Sequence, residues 1–196
     1  MSEDPLFEAD DAATPLTAEE KQGLIPSYIT LRRELNEAEQ INVTSAEQTA
    51  FARSRNVLDE RYLRRLHKSM YRDVWKWAGE FRKSERNIGV DHFRIALELR
   101  ELQDNARYWV ENSTYPADEI AARFHHKLVW IHCFPNGNGR HARLATDLLL
   151  VSLGQPRFTW GRQSLVDPSE TRQRYVTALR AADNHDIRPL LAFVRS

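Results

Sequence analysis

The chain has 196 residues, with 28 lysines and arginines balanced by 28 aspartates and glutamates, for a formal net charge of +0. That length suits one globular domain with a sizeable core rather than two, and a balanced charge gives no global field to draw the protein onto nucleic acid. A single cysteine, Cys133, excludes an internal disulfide and fits a reducing compartment, with a cytoplasmic location expected.

No apolar run approaches the ~20 residues needed to span a bilayer. The acidic start MSEDPLFEADD is the opposite of a secretory signal. Neither membrane insertion nor direct nucleic-acid binding is expected. The pairs Arg32-Arg33 and Arg64-Arg65 fit solvated helix faces.

Residues 1–15 combine acids, proline and small side chains, which predicts a flexible tail. Thr17-Ala-Glu-Glu20 reads as a capping box opening a short helix, with Gly23 near its end. Residues 27–41 form a polar helical segment, and Ser45-Ala-Glu-Gln48 reads as a second box. The expected organisation is an N-terminal region over 16–44 and a domain core over 45–196.

The first strongly periodic helix is predicted from Asp59 to Ala78, with Leu63, Leu66, Met70, Val74 and Trp77 on one face. Gly79 stops it. Residues 80–91 break the helical period and end in Asn87-Ile88-Gly89-Val90, which suits a short hairpin. A second helix uses Ile95, Leu99, Leu102, Ala106 and Trp109, and a third starts near Pro116 with Ile120, Phe124, Leu128 and Ile131. A fourth follows Gly139, and a last start is marked by Asp167-Pro-Ser-Glu170. The fold class is all-α with one small β-hairpin.

Chemistry concentrates in His132-Cys-Phe-Pro-Asn-Gly-Asn-Gly-Arg-His-Ala-Arg143. A Gly-Asn-Gly turn feeding a helix points backbone N–H groups into one concavity, where the helix dipole adds positive potential. Gly137 and Gly139 permit positive φ and close approach of a ligand. Arg140 and Arg143 are three apart, so both guanidinium groups reach one side of the first turn. His132 can face the anion as a base. Together these fit phosphate-ester chemistry on a nucleotide. Gly-Asn-Gly alone is also a common turn, and a histidine at a helix end is also a common structural residue. His125-His126 with His132 matches no usual zinc spacing.

This segment resembles the Fic family signature His-x-Phe-x-(Asp/Glu)-Gly-Asn-Gly-Arg-x-x-Arg at every defined position except one. Trp75-Lys-Trp-Ala-Gly-Glu-Phe-Arg82 resembles the family's helix end before its flap, and residues 175–193 resemble its C-terminal helices. Residues 14–36 are similar to the subgroup called mobile mystery protein B. The resemblance implies a Fic-type helical fold and transfer of AMP from ATP to a protein Ser, Thr or Tyr hydroxyl. His132 would be the base. Gly137, Gly139 and Asn138, backbone and side chain, would hold the α- and β-phosphates. Arg140 would support the β-phosphate and Arg143 the γ-phosphate. Tyr175 and Asp183 would form part of the adenine pocket, and Asn87, Ile88, Gly89 and Val90 a flap that docks the target by strand addition.

Asn136 is the exception, standing where the family places an acid to bind Mg²⁺. An amide oxygen can coordinate a hard cation but brings no charge, so weaker metal binding is expected. Gly139 favours AMP transfer over the phosphotransferase branch, which has lysine there.

Thr30-Leu-Arg-Arg-Glu34-Leu-Asn36 partly resembles the family's inhibitory motif (Ser/Thr)-x-x-x-Glu-(Gly/Asn). It implies that Glu34 pairs with Arg143 and that Glu34→Gly raises activity. A plain charged helix face would give the same residues. Removal of AMP from a modified protein, or a degenerate nucleotide- or partner-binding module, are the competing functions. From the subgroup, a small helix-turn-helix partner in a toxin–antitoxin-like arrangement is expected, and the chain could also form an oligomer.

Overall fold

The computed structural model describes residues 16–53, 56–163, 165 and 169–196. The expected tail over 1–15 and the cap at Asp167-Pro168 lie outside the described residues. Among the described residues eight α-helices follow in order: α1 (Ala18–Lys21), α2 (Arg32–Phe51), α3 (Glu60–Tyr71), α4 (Ile95–Glu111), α5 (Ala117–Ile131), α6 (Asn138–Ser152), α7 (Glu170–Asp183) and α8 (Arg188–Val194). Short 3₁₀ turns at His92–Arg94 and Trp160–Arg162 lead into α4 and follow α6.

The antiparallel pair α5 and α6 forms the centre, with α4 against α5, and α2 against both α3 and α6. Leu63, Met70, Phe124, Ile131, Phe134 and Ala145 bury their side chains in one core. Each large apolar side chain withdrawn from water contributes about 1.5–3 kcal/mol. A second cluster of Leu150, Phe158, Tyr175, Leu190 and Phe193 joins α7 and α8 to the far end of α6. The predicted helices over α4, α5 and α6 stand where the period puts them. The capping box at Thr17 forms, with its side chain accepting from Glu20 N and Glu20 reaching back to Thr17 N.

Four expectations need correction. The polar segment and the second box are one helix: Ser45 lies inside α2, and so does the boundary drawn between residues 44 and 45. α3 ends at Tyr71 rather than Ala78, because the following turns pair instead with the N-terminal segment. Ile25 N donates to Val74 O at 2.9 Å, and Lys76 N to Gly23 O at 2.8 Å. Ser169, not Asp167, caps α7, its hydroxyl accepting from Arg172 N at 3.1 Å.

The fourth correction concerns the hairpin. Residues 80–91 carry no strand, and the one β-bridge among the described residues is Leu24 with Trp75. The reason is Arg82. Its guanidinium donates to the carbonyls of Ser84, Val90 and His132, so a buried side chain satisfies acceptors that a ladder would have used. Arg82 N to Cys133 O at 3.0 Å and Val90 N to Ile131 O at 3.4 Å then pin both ends of this irregular loop to the end of α5.

Candidate functional site

α5 stops at Ile131, and His132 caps it in the left-handed region, φ 55° and ψ 61°. That conformation costs a non-glycine residue about 1–2 kcal/mol and must be held by neighbours. Arg82 Nε holds it, donating to His132 O at 2.6 Å. Gly89, at φ 96°, lets the 80–91 loop descend onto the imidazole: a Cβ there would lie 2.6 Å from His132 Cβ. Burial, with the nearby Arg82 and Arg86 guanidiniums, pushes the His132 pKa down to about 4. The imidazole is therefore neutral near pH 7 and able to accept a proton.

The loop between α5 and α6 is fastened from within. Asn138 Oδ1 accepts from Phe134 N at 2.9 Å and its Nδ2 donates to Phe134 O at 2.7 Å. Each amide atom thus makes a bond to the Phe134 backbone, so the Asn138 side chain shapes the loop. Phe134 stacks on His67 with centroids 3.7 Å apart. His67 Nδ1 accepts from Gly79 N, and its Nε2 then donates to Asn136 O, each at 3.0 Å. Gly137, at φ 77°, is the N-cap residue of α6, and a Cβ there would lie 2.5 Å from the Tyr71 hydroxyl. Gly139 lies in helical φ, and a Cβ there would meet only Arg143 at 3.6 Å, so the expected positive φ is absent. No side chain caps α6, and its ladder starts at His141 N to Gly137 O. The N–H groups of its first turn are left for a ligand.

One cavity of about 370 Å³ brings the parts together. His132, Gly137, Gly139, Arg140 and Arg143 line it, Asn87, Ile88 and Gly89 form its roof, and Tyr175 and Asp183 line it too. Val90 is buried behind the roof. Tyr175 accepts or donates at 2.8 Å to His125 Nε2, and Arg143 lies 5.9 Å from its ring centroid. Asp183 Oδ1 meets His126 Nε2 at 2.8 Å.

Thr30 and Glu34 are not among the residues lining this cavity. Glu34 Oε2 accepts from Thr30 N at 2.9 Å and Leu31 N at 3.0 Å, capping its own helix. The expected pairing with Arg143 is not formed, because as the third residue of α2 Glu34 satisfies two otherwise unpaired N–H groups. The acid that does reach a loop arginine is Glu39, whose Oε2 accepts from Arg140 at 2.5 Å.

Across this region, residues 57–150 match the family model Fic/DOC family. The chain carries a Fic/DOC-family domain over these residues. The protein adenylyltransferase Fic of Drosophila mojavensis is 33% identical over 121 residues, 60% of this chain and 22% of that protein. The protein adenylyltransferase fic-1 of Caenorhabditis briggsae is 37% identical over 121 residues, with the same coverage of 60% and 22%. The chain thus spans only 22% of the length of these two relatives. The fold matches the BepC effector of Bartonella tribocorum, solved with AMPPNP bound, at a TM-score of 0.71 and 18% identity over 91% of this chain and 97% of that one. An N-terminal Fic domain from Bartonella quintana with ADP bound matches at 0.68, 18% identical over 86% of each chain.

The Fic loop does not fit a protein-held Mg²⁺. Asn136 Oδ1 already accepts from Gly137 N at 2.6 Å. Among the described residues, the one carboxylate lining the cavity, Asp183, is engaged with His126. A hard dication needs charged oxygens that are free to point at it. Sequence reasoning missed Arg82, His67 and Glu39. Glu39 and His67 each occupy a position of a buried helical stripe, Glu39 with Leu35 and Val43, His67 with Leu63 and Met70. A polar residue on such a stripe was the available signal.

Proposed function

We propose that this Fic domain is a protein adenylyltransferase, moving AMP from ATP to a Ser, Thr or Tyr hydroxyl of another protein. The carrying observation is one cavity onto which the neutral His132, the uncapped start of α6 and Arg140 and Arg143 all open. The target's O–H gives its proton to His132, and the oxygen forms a bond to the α-phosphorus. The bond from that phosphorus to the bridging oxygen breaks, and pyrophosphate leaves with the electron pair. The first-turn N–H groups and Arg143 stabilise charge on the phosphates, so the site works by positioning and fixed dipoles. Tyr175 and Asp183, which line the same cavity, would receive the base.

The 80–91 loop, with Ile88 exposed at the cavity mouth, is the place for the target segment to dock. The relatives named adenylyltransferases support a protein substrate. ATP and a reducing cytoplasm suit the buried thiol of Cys133. A second reading, a nucleotide-binding module without turnover, is favoured by Asn136 alone. AMP removal with Glu34 as its acid has no support from the position of that side chain.

The test uses ATP labelled on the α- or the γ-phosphate, incubated with the chain and a mixture of cellular proteins. Protein-bound label from the α-position, lost in His132→Ala, is expected. Label only from the γ-position would make this a phosphotransferase, and no label with intact ATP binding would favour the module.

A further inference from the structure

The charge balance of the cavity does not close on the Fic loop alone. Arg140 faces the cavity, but Glu39 accepts from its guanidinium and neutralises it. Asn136 contributes no charge, and its Oδ1 is taken by Gly137 N. That leaves Arg143 as the one loop guanidinium whose charge no described carboxylate offsets.

A further cation comes from a different element. Arg32, the first residue of α2, lines the same cavity, with Asn36 one turn further along the same face. Among the described residues, no ion pair engages Arg32. Its place is electrostatically poor for a folded chain without ligand, because a cation in the first turn opposes the positive end of the helix dipole. Glu34, the acid of that turn, is committed to the N–H groups of Thr30 and Leu31. An anion in the cavity reverses the sign of both effects. A guanidinium also offers paired N–H donors that match phosphate oxygens.

We infer that Arg32 is a phosphate ligand of this cavity, and that the triphosphate of the nucleotide is held by Arg32 and Arg143 without a divalent cation bound to the protein. This rests on the nucleotide reading of the site. α2 then contributes to substrate binding through Arg32 instead of blocking it through Glu34. As a phosphate ligand, Arg32 should be felt by a nucleoside triphosphate and much less by a monophosphate.

The test is calorimetric titration of ATP and of AMP into the full chain, in EDTA and in excess Mg²⁺, for wild type, Arg32→Gln and Asn136→Asp. Wild type should bind ATP in EDTA at least as tightly as in Mg²⁺. Arg32→Gln, a half-exposed change that leaves the melting temperature unaltered, should weaken ATP by ~10-fold or more, the scale of one lost charge-assisted hydrogen bond. AMP affinity should stay nearly constant in that variant. Asn136→Asp should weaken ATP in EDTA and make binding depend on Mg²⁺. Wild-type binding that collapses in EDTA overturns the inference, as does Arg32→Gln binding ATP like wild type or losing ATP and AMP equally. Absence of any nucleotide binding by the folded wild type overturns the nucleotide reading itself.

Discussion

Glu39 and Arg140 lie 101 residues apart in the chain and meet at 2.5 Å, where α2 crosses the start of α6. The other oxygen of Glu39 accepts from Trp75 Nε1 at 2.7 Å, so both carboxylate oxygens are used in a side chain only 2% exposed. One acid therefore ties α2, the turn after α3 and the start of α6 into one unit. It also fixes the direction of a guanidinium that the ring of Tyr71 flanks at 5.2 Å.

Breaking that unit should be costly. Glu39→Ala leaves the Trp75 N–H and the Arg140 cation without their acceptor, and truncating one partner of a buried pair costs about 3–5 kcal/mol. Glu39→Gln keeps an oxygen for Trp75 and should lose less. Urea unfolding of both variants and of wild type reads the difference. Equal midpoints for Glu39→Ala and wild type would show that water entering from the cavity replaces the acid.

The two glycines of the loop should separate cleanly. Gly137→Ala forces a Cβ to within 2.5 Å of the Tyr71 hydroxyl at a φ of 77°, whereas at Gly139 a Cβ meets only the end of Arg143 at 3.6 Å. Gly137→Ala should lower the melting temperature and displace the loop. Gly139→Ala should melt like wild type and alter only what enters the cavity. Circular dichroism melts of the pair decide this, and a Gly139→Ala protein as damaged as Gly137→Ala would sink it.

These contrasts show what was legible in the sequence. Stripes such as Ile120, Phe124, Leu128 and Ile131 have one period and one reading, and α4, α5 and α6 follow them. The order from His132 to Arg143 exposed the loop, because glycines, arginines and a histidine in that spacing serve few other purposes. The partners of those residues were not legible. A hairpin over 80–91 was expected, and the Arg82 side chain has bonded to the backbone instead; that the Asn138 amide ties Phe134 was equally hidden. Local pattern gives the faces of helices, but it does not say which buried donor meets which acceptor. The stripe of Leu35 and Val43 sets Glu39 apart from Glu34, but only the packing of α2 against α3 and α6 supplies its partners.

Glu34 offers a direct check on that distinction. Two backbone N–H groups hold its carboxylate and keep its pKa below the ordinary glutamate value. Glu34→Gln should therefore leave ATP affinity and transfer rate unchanged, with at most a small loss of α2 stability. A large rise in either functional quantity would mean that the side chain leaves its cap and occupies Arg143.

Transfer should persist at mildly acidic pH. A base must be unprotonated, and His132 with a pKa near 4 stays so well below the ordinary histidine value of 6.5. The single-turnover rate should be flat from about pH 7.5 to about pH 6, where a histidine at about 6.5 would already have lost more than half of its free base. A rate that halves at about pH 6.5 in folded protein would show that the imidazole is hydrated and ordinary.

Stability itself should fall on the acid side, and the sign follows from four histidines. His125 is pushed down to about 3, His132 and His141 to about 4, and His67 well below its ordinary value, all first by burial. Between pH 6.5 and 4 the unfolded chain binds protons at these sites that the folded chain refuses. Stability then decreases as the pH drops through that window. Asp147 works in the opposite direction: burial raises its carboxyl to about 6, so the folded state gains a proton there before the unfolded state does. One carboxyl against four imidazoles leaves the histidines dominant. Urea midpoints at pH 7.5, 6 and 5 should fall in that order, and His125→Gln should flatten the slope by removing one of the four. A midpoint that rises toward pH 5 would mean that Asp147 outweighs them and that the imidazoles are less sealed from water than their burial indicates.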